Sequence, residues 1–248
     1  MTIETDRDLA ALRRIGRIVA STLQTMMQRA EPGMTTAELD AIGRDLLAAQ
    51  GANSAPRRDY GFPGYTCISV NEEAAHGVPG ARVLCAGDLV NIDVSAELDG
   101  YYADTGGSFA LPPTDPLKER LLGATRSALG AACRAARHDQ PLNGIGRAIT
   151  RVARDRGFRV MRNLCSHGVG RSLHEEPGEI PGYYEPRDRR RLHEGLVITI
   201  EPFLSTKSRM AHEAADGWTL VGAAGNLSAQ FEHTMVITRG RPILLTVA

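Results

Sequence analysis

Two aspartates lie in a predicted β-hairpin, where strands are usually apolar. The stretch NIDVSAELDGYYAD, residues 91–104, alternates like a strand, passes through Asp99-Gly100 and alternates again. Aspartate forms strands poorly and is costly to bury without a partner. A two-residue turn at Asp99-Gly100 would make Asp93 and Asp104 diagonal neighbours on one face, whereas an odd-length loop would separate them. Converging carboxylates repel, so one takes a proton or a cation lies between them.

Three further residues of similar chemistry follow along the chain. Glu201 ends the apolar strand of ITIEP, Glu232 falls within the strand-like QFEHTMV, and His167 lies in the glycine-rich NLCSHGVGRSLHEEP. The hairpin acids alone could equally be solvated surface residues. Four acids at strand positions together with an imidazole are hard to explain as independent surface residues.

Asp, Asp, His, Glu and Glu form an oxygen-rich set of metal ligands without thiolates. Such a set does not suit a structural zinc site and fits Mn(II), Fe(II) or Co(II) better. Four carboxylates and one imidazole suffice for two divalent ions about 3.5–4 Å apart, an arrangement that activates water for hydrolysis. The chain lacks HExxH, GxSxG, GxxxxGK and GxGxxG, which disfavours zincins, elbow-type serine hydrolases, P-loop enzymes and dinucleotide binders.

Composition narrows the possible partners and the location. The 248 residues carry 29 basic and 29 acidic side chains, so a uniformly basic protein that binds nucleic acid or membranes is disfavoured. Local patches such as the arginine run at 187–191 remain open, although we interpret that run as a solvated loop. No apolar run reaches transmembrane length, and the polar, acidic MTIETDRDLA is not a signal peptide. We therefore expect a cytoplasmic protein whose four scattered cysteines are reduced.

The elements that must position these residues occur twice. Helical spacing predicts helices over 6–29 and from Thr35 to about 50, then a loop over 51–65 and strands near 66–70 and 89–111. Helices from Pro116 and over 142–156 follow, with strands near 158–161, 196–200, 217–221 and 231–238. GDLVNID and GLVITIE echo one another, each ending in an acid. We predict one α+β catalytic domain, 1–248, with duplicated halves of about 1–111 and 112–248.

Taken together, these motifs make the chain resemble the methionine aminopeptidases of the short bacterial type I form. The resemblance rests on CISVNEEAAHGVP, LVNIDV, CSHGVG, HEEP, ITIEP and SAQFEHTMV, and covers nearly the whole sequence. It implies the pseudo-twofold "pita-bread" fold, an antiparallel sheet covered by helices on one side, with a dinuclear metal site at its centre.

The resemblance also implies roles for individual residues. Asp93 would hold one metal, His167 and Glu201 the other, and Asp104 and Glu232 would bridge both. Glu201 would also take a proton from the attacking water and help to deliver it to the leaving amine. The remaining catalytic residues would be His76, which contacts the peptide beyond the cleaved bond, and His174, which hydrogen-bonds the scissile carbonyl.

The methionine pocket would be lined by Phe62, Cys67, Leu173 and Trp218. The chain departs from the family at two positions: Leu173 stands where Phe is usual, and Asp59 where an aromatic residue is common. We expect both departures to change the shape of the pocket but not the metal chemistry.

The resemblance implies removal of the initiator methionine from peptides and nascent proteins with a small second residue. The expected partners are the peptide N-terminus and, transiently, the ribosome, with no stable nucleic-acid complex, no membrane contact and a monomeric state. Two alternatives remain open. One is an aminopeptidase of the same fold with another specificity, and the other is a non-catalytic binding protein, although such relatives have lost metal ligands.

Overall fold

A computed structural model describes residues 1–248 of the chain. Capping boxes begin its first two helices. At Thr35 the side chain accepts a hydrogen bond from the backbone N–H of Glu38, whose carboxylate accepts one in return, as the sequence predicts. Thr5 and Asp8 form the same motif at the first helix. None of the helices combines the length and apolarity that a membrane crossing needs. The helices are α1 (Asp6–Arg29), α2 (Thr36–Ala49), α3 (Ala55–Tyr60), α4 (Pro116–Ala135) and α5 (Asn143–Asp155).

The strands form four antiparallel sheets. In chain order they are β1 (Asn53–Ser54), β2 (Cys67–Val70), β3 (Glu73–Ala75), β4 (Leu89–Leu98), β5 (Tyr101–Ala110), β6 (Arg159–Val160), β7 (Cys165–Gly168), β8 (Glu175–Pro181), β9 (Val197–Ile200), β10 (Phe203–Ser205), β11 (His212–Glu213), β12 (Leu220–Val221), β13 (Ser228–Gln230), β14 (His233–Val236) and β15 (Ile243–Leu244). One sheet runs β1-β4-β2 with β5 on β4, and another runs β15-β14-β9-β7-β8. The two smaller sheets are β13-β10-β6 and β11-β12-β3.

The interior divides into two main apolar clusters of comparable size, of 27 and 23 buried residues. The first joins the apolar faces of α1 and α2 to β2, β4 and β5, with Leu12 and Ile92 fully buried. The second joins α4 and α5 to β9, β10 and β14, with Leu121 and Ile198 fully buried. The helix pairs thus cover the sheets in a similar way in both parts of the chain, as the duplicated α+β fold requires.

The hairpin turn is even-numbered, which confirms the predicted register. Asp99 and Gly100 have φ values of 54° and 78°, the left-handed conformation that a two-residue turn between twisted strands needs. Leu98 therefore pairs with Tyr101, and Asp93 lies opposite Gly106.

The prediction of a loop over 51–65 is wrong in part, because α3 lies within it. Pro56 stands in its first turn, and Gly61 at its C-terminal end has φ of 72°. This placement of proline and glycine is a helix signal that the apolar periodicity of so short a segment does not reveal. Strand β8, which begins at Glu175, the first acid of HEEP, was also not predicted, since its residues do not alternate in hydrophobicity.

Candidate metal centre and substrate cleft

Five separate segments bring the predicted metal ligands together. Asp93 lies in β4 and Asp104 in β5, His167 lies in β7, and Glu201 follows β9 directly. Glu232 was predicted inside a strand, but it lies in the break between β13 and β14. Because Glu232 does not pair with a neighbouring strand, its backbone N–H is available to donate to Gly106 O in β5, at 2.9 Å.

The ligand atoms of these residues form two overlapping groups. Oxygen or nitrogen atoms of Asp104, His167 and Glu232 lie within 4.8 Å of one another, as do those of Asp93, Glu201 and Glu232. Glu232 belongs to both groups, as a bridging ligand would. Glu201 also lies beside His167, with Oε1 3.4 Å from Nε2, so all five side chains face one small volume.

The side-chain atoms that face this volume are hydrogen-bond acceptors, as the ligands of a metal ion must be. His167 Nδ1 lies 2.9 Å from Gly168 O. Because a carbonyl only accepts, Nδ1 carries the proton and Nε2 presents its lone pair to Glu201 and to Asp104 Oδ2, which is 3.8 Å away. An imidazole lone pair directed at carboxylate oxygens is repulsive unless a cation lies between them. The donor set thus fits divalent cations, as oxygen-rich sites generally do.

The charges themselves oppose one another in the absence of a cation. Burial, followed by repulsion from the neighbouring carboxylates, raises the pKa values of Asp93, Glu201 and Glu232 well above their ordinary range. Burial also lowers the pKa of His167, which favours the neutral form that metals bind. A centre of this kind releases protons from its ligands when it binds metal ions.

A shell of hydroxyl and amide groups that the sequence motifs did not single out aims these acids. Ser95 Oγ donates to Asp104 Oδ1 at 2.8 Å, and Gln230 Nε2 donates to Glu232 Oε2 at 2.9 Å. Thr199 donates to the other oxygen of Glu232, and Ser166 accepts from the backbone N–H of Glu201. These partners lie up to 35 residues away in the chain, so only the tertiary fold reveals them.

A cleft of about 270 Å³ opens directly onto the acids. Every predicted catalytic, metal and pocket residue lines it except Glu232, which has a carboxylate oxygen within 4.8 Å of ligand atoms of Asp93 and Glu201. Four cavities elsewhere are larger, at about 350 to 550 Å³, but Glu232 is the only predicted site residue that lines any of them, in the cavity of about 440 Å³. The cleft is lined by Pro56, Tyr60, Phe62, Cys67, His76, Asp93, Ser95, Asp104, His167, Leu173, His174, Glu201 and Trp218.

His174 lies beside the metal centre and is held by a residue that the sequence analysis missed. Its ring centroid is 4.2 Å from that of His167, and its Nδ1 is 2.8 Å from the hydroxyl of Tyr60 in α3. Although part of the ring is open to solvent, the surrounding protein and then His167 lower its pKa to about 4. His174 is therefore neutral at pH 7. Tyr60 was missed because it lies in α3, within the segment that was predicted to be a loop.

The backbone that carries Leu173 and His174 is anchored to α1. Arg171 Nη2 donates to Asp8 Oδ1 and to the hydroxyl of Tyr101, each at 2.8 Å. Its guanidinium also stacks 3.7 Å from the centroid of the Tyr101 ring. This contact joins helix, hairpin and loop around the cleft.

His76 also lines the cleft. Its side chain is exposed, and its backbone has φ of 54°, an uncommon conformation for a non-glycine residue. Strained backbones of this kind concentrate at functional sites. The structure thus places both non-ligand histidines on the cleft, facing the volume above the acids.

The apolar end of the cleft brings the four predicted pocket residues together. Phe62 and Trp218 meet edge to face with centroids 5.3 Å apart, and Leu173 and Cys67 are buried beside the cleft. Asp59, which we expected to alter the pocket, does not line it. Its carboxylate instead accepts a long hydrogen bond of 3.4 Å from Tyr102. Of the two departures, only Leu173 shapes the cleft.

Comparison with known proteins agrees with this geometry. Residues 10–239 match the model of metallopeptidase family M24. The chain is 47% identical to methionine aminopeptidase 2 of Bacillus subtilis and 46% identical to a methionine aminopeptidase of Staphylococcus epidermidis, over 99% of this chain and at least 98% of either relative.

The solved structures extend the comparison to the fold. A methionine aminopeptidase from Thermotoga maritima superposes over the full length of both chains with a TM-score of 0.95 at 32% identity. A prolidase from Pyrococcus furiosus, at 22% identity and a TM-score of 0.79, shares the fold alone, and this chain covers 66% of it. The pita-bread fold that the motifs implied is confirmed. The chain belongs to metallopeptidase family M24 and, within it, to the methionine aminopeptidases.

Proposed function

We propose that this chain removes the N-terminal methionine from peptides and nascent proteins whose second residue is small. The observation that carries the proposal is one cleft lined by four of the five ligands, two further histidines and an apolar pocket, with the fifth ligand, Glu232, grouped with the other four. A methionine side chain suits the pocket because thioethers pack well against aromatic edges such as those of Phe62 and Trp218.

We assign two divalent ions to the metal centre. Asp93 would hold one, His167 and Glu201 the other, and Asp104 and Glu232 both. When bound, such ions supply Lewis acidity and lower the pKa of water, so that it can attack a peptide carbonyl. Fe(II), Mn(II) and Co(II) all suit this donor set.

Glu201 is the residue best placed to accept a proton. Its carboxylate lines the cleft beside His167, with Oε1 3.4 Å from Nε2, so it can take a proton at Oε1 or Oε2 and pass it to the leaving amine. Its backbone N–H is fixed by Ser166 Oγ at 2.9 Å, which keeps the side chain directed into the cleft.

His174 would stabilise the negative charge that develops on the carbonyl oxygen. When the Tyr60 hydroxyl donates to Nδ1, the proton of the neutral ring resides on Nε2, where it can be donated to substrate. His76, which also lines the cleft, would contact the peptide beyond the cleaved bond.

The remaining assignments complete the proposal. The protein acts in the cytoplasm as a monomer and a single catalytic domain of two halves, 1–111 and 112–248, with at most transient ribosome contact. The balanced charge of 29 basic and 29 acidic residues fits a protein whose surface is not uniformly basic.

The direct test is methionine release from a Met-Ala-Ser peptide by purified protein loaded with Mn(II) or Co(II). We expect turnover that chelation abolishes and that fresh metal restores. Absence of turnover with every divalent metal would refute the proposal. Peptides with other first residues separate it from an aminopeptidase of different specificity.

A further inference from the structure

A second cavity, of about 550 Å³, lies where the end of α5 meets β6 and the segments that follow β8 and β10. None of the residues of the metal centre or the methionine pocket lines it. Its lining consists of Thr150, Ala153, Arg154, Gly157, Phe158, Arg159, Val160, Arg162, Tyr183, Tyr184, Thr206 and Arg209.

The charged side chains that line this cavity are all basic. Four arginines line it and no acidic side chain does. Arg154 is paired with Asp155 at 3.1 Å, but Arg159, Arg162 and Arg209 have no carboxylate within ion-pair distance. Because the whole chain has a net charge of zero, this concentration does not reflect a basic composition. By contrast, the 187–191 run contains two arginines that are paired, Arg190 and Arg191.

Aromatic rings accompany these cations. The guanidinium of Arg162 lies 4.1 Å from the centroid of Tyr183, and that of Arg147 lies 4.2 Å from the centroid of Tyr184. Stacking of this kind orients a guanidinium while leaving its N–H groups free for a ligand. Tyr184 is also 40% exposed, so part of its ring is available to a planar group.

We propose that this cavity binds a nucleoside phosphate, either as a free nucleotide or as a unit of a single-stranded RNA. Arginine forks match phosphate oxygens in pairs, and tyrosine faces stack on bases whatever the sequence. The site is separate from the cleft, so its ligand does not compete with the peptide. The proposal therefore does not depend on the peptidase assignment.

The experiment uses two probes on the full-length protein at low ionic strength. Fluorescence anisotropy measures binding of a fluorescein-labelled single-stranded oligouridine RNA and, separately, of ADP carrying a fluorescent N-methylanthraniloyl group. The test variant replaces Arg159, Arg162 and Arg209 with Ala. Its matched control replaces Arg13, Arg17 and Arg189 with Ala, which removes the same charge from exposed, unpaired arginines elsewhere.

We expect the test variant to lose about tenfold or more in affinity and the control about twofold or less, with the salt dependence of RNA binding reduced by a slope of about 2 in the test variant alone. Binding of the labelled ADP as tightly as the RNA identifies a free nucleotide as the ligand, and preference for RNA identifies a strand. Methionine release should be unchanged in all variants. Failure of both probes to bind wild type, or equal losses in the two triple variants, would overturn the proposal.

Discussion

Substitution of Gly106 by alanine tests how tightly the surrounding structure holds Glu232. Gly106 lies in β5 opposite Asp93, and its carbonyl accepts from the backbone N–H of Glu232. A Cβ added at this position would lie 2.5 Å from Gln230 Nε2 and closer still to its Oε1. Gln230 is fully buried and cannot move aside into solvent. Gly106→Ala therefore forces the Gln230 amide away from its partners.

The cost follows from the hydrogen bonds that Gln230 makes. Its Nε2 donates to Glu232 Oε2, and its Oε1 accepts from Asn91 Nδ2, each at 2.9 Å. Losing two buried hydrogen bonds costs about 1 kcal/mol each, and overpacking adds about 1–3 kcal/mol. We expect Gly106→Ala to lower the free energy of unfolding by about 3–5 kcal/mol and to weaken Mn(II) binding, since Glu232 loses a donor that aims it.

Gly107→Ala provides the matched control on the opposite face of the same strand. A Cβ there would meet Met27 Sδ at 3.3 Å and a methyl of Leu23 at 3.6 Å, and both side chains can adjust. We expect a change of about 1 kcal/mol or less. Urea unfolding of the metal-free proteins and calorimetric titration with Mn(II) measure both effects. If the two variants were equally stable and bound Mn(II) as wild type does, the account of the Gln230–Glu232 contact would be wrong.

Three further changes test the cleft and its support. Tyr60→Phe should lower kcat about twofold to tenfold with little change in KM, because His174 loses the hydrogen bond that fixes its tautomer. An unchanged kcat would show that Tyr60 does not position His174 for catalysis. Leu173→Ala should lower kcat/KM for methionyl peptides about fivefold to thirtyfold through lost apolar contact, whereas Asp59→Ala, outside the cleft, should not. The pKa of Asp8 is lowered from 3.8 to about 2, chiefly by the hydrogen bond from Tyr101, so its stabilisation is complete above pH 4 and is lost as the pH falls towards 2. The difference in unfolding free energy between wild type and Asp8→Asn should accordingly shrink over that interval, and a constant difference would contradict the assignment.

Local signals were enough to predict the hairpin. Asp99-Gly100 specifies a two-residue turn, and strand alternation then fixes which side chains share a face, so Asp93 and Asp104 could be placed together from residues 91–104 alone. The echo of this segment in GLVITIE likewise located Glu201 at the end of β9.

Long-range contacts could not be predicted in this way. The bond from Gln230 to Asn91 spans 139 residues, and that from Tyr60 to His174 spans 114. Neither pair shares a local pattern, because each depends on how separate elements pack. Glu232 was misplaced for the same reason, since its departure from the strand is compensated by a bond to Gly106 in the other half of the chain.

We propose that the five converging side chains hold two divalent ions. Crystals grown with Mn(II) and measured at the manganese absorption edge test it directly. We expect two anomalous peaks about 3.5–4 Å apart, enclosed by Asp93, Asp104, His167, Glu201 and Glu232. Asp104→Ala, which removes a bridging ligand, should lose at least one peak. No anomalous peak among these side chains in fully loaded wild-type protein would contradict the account.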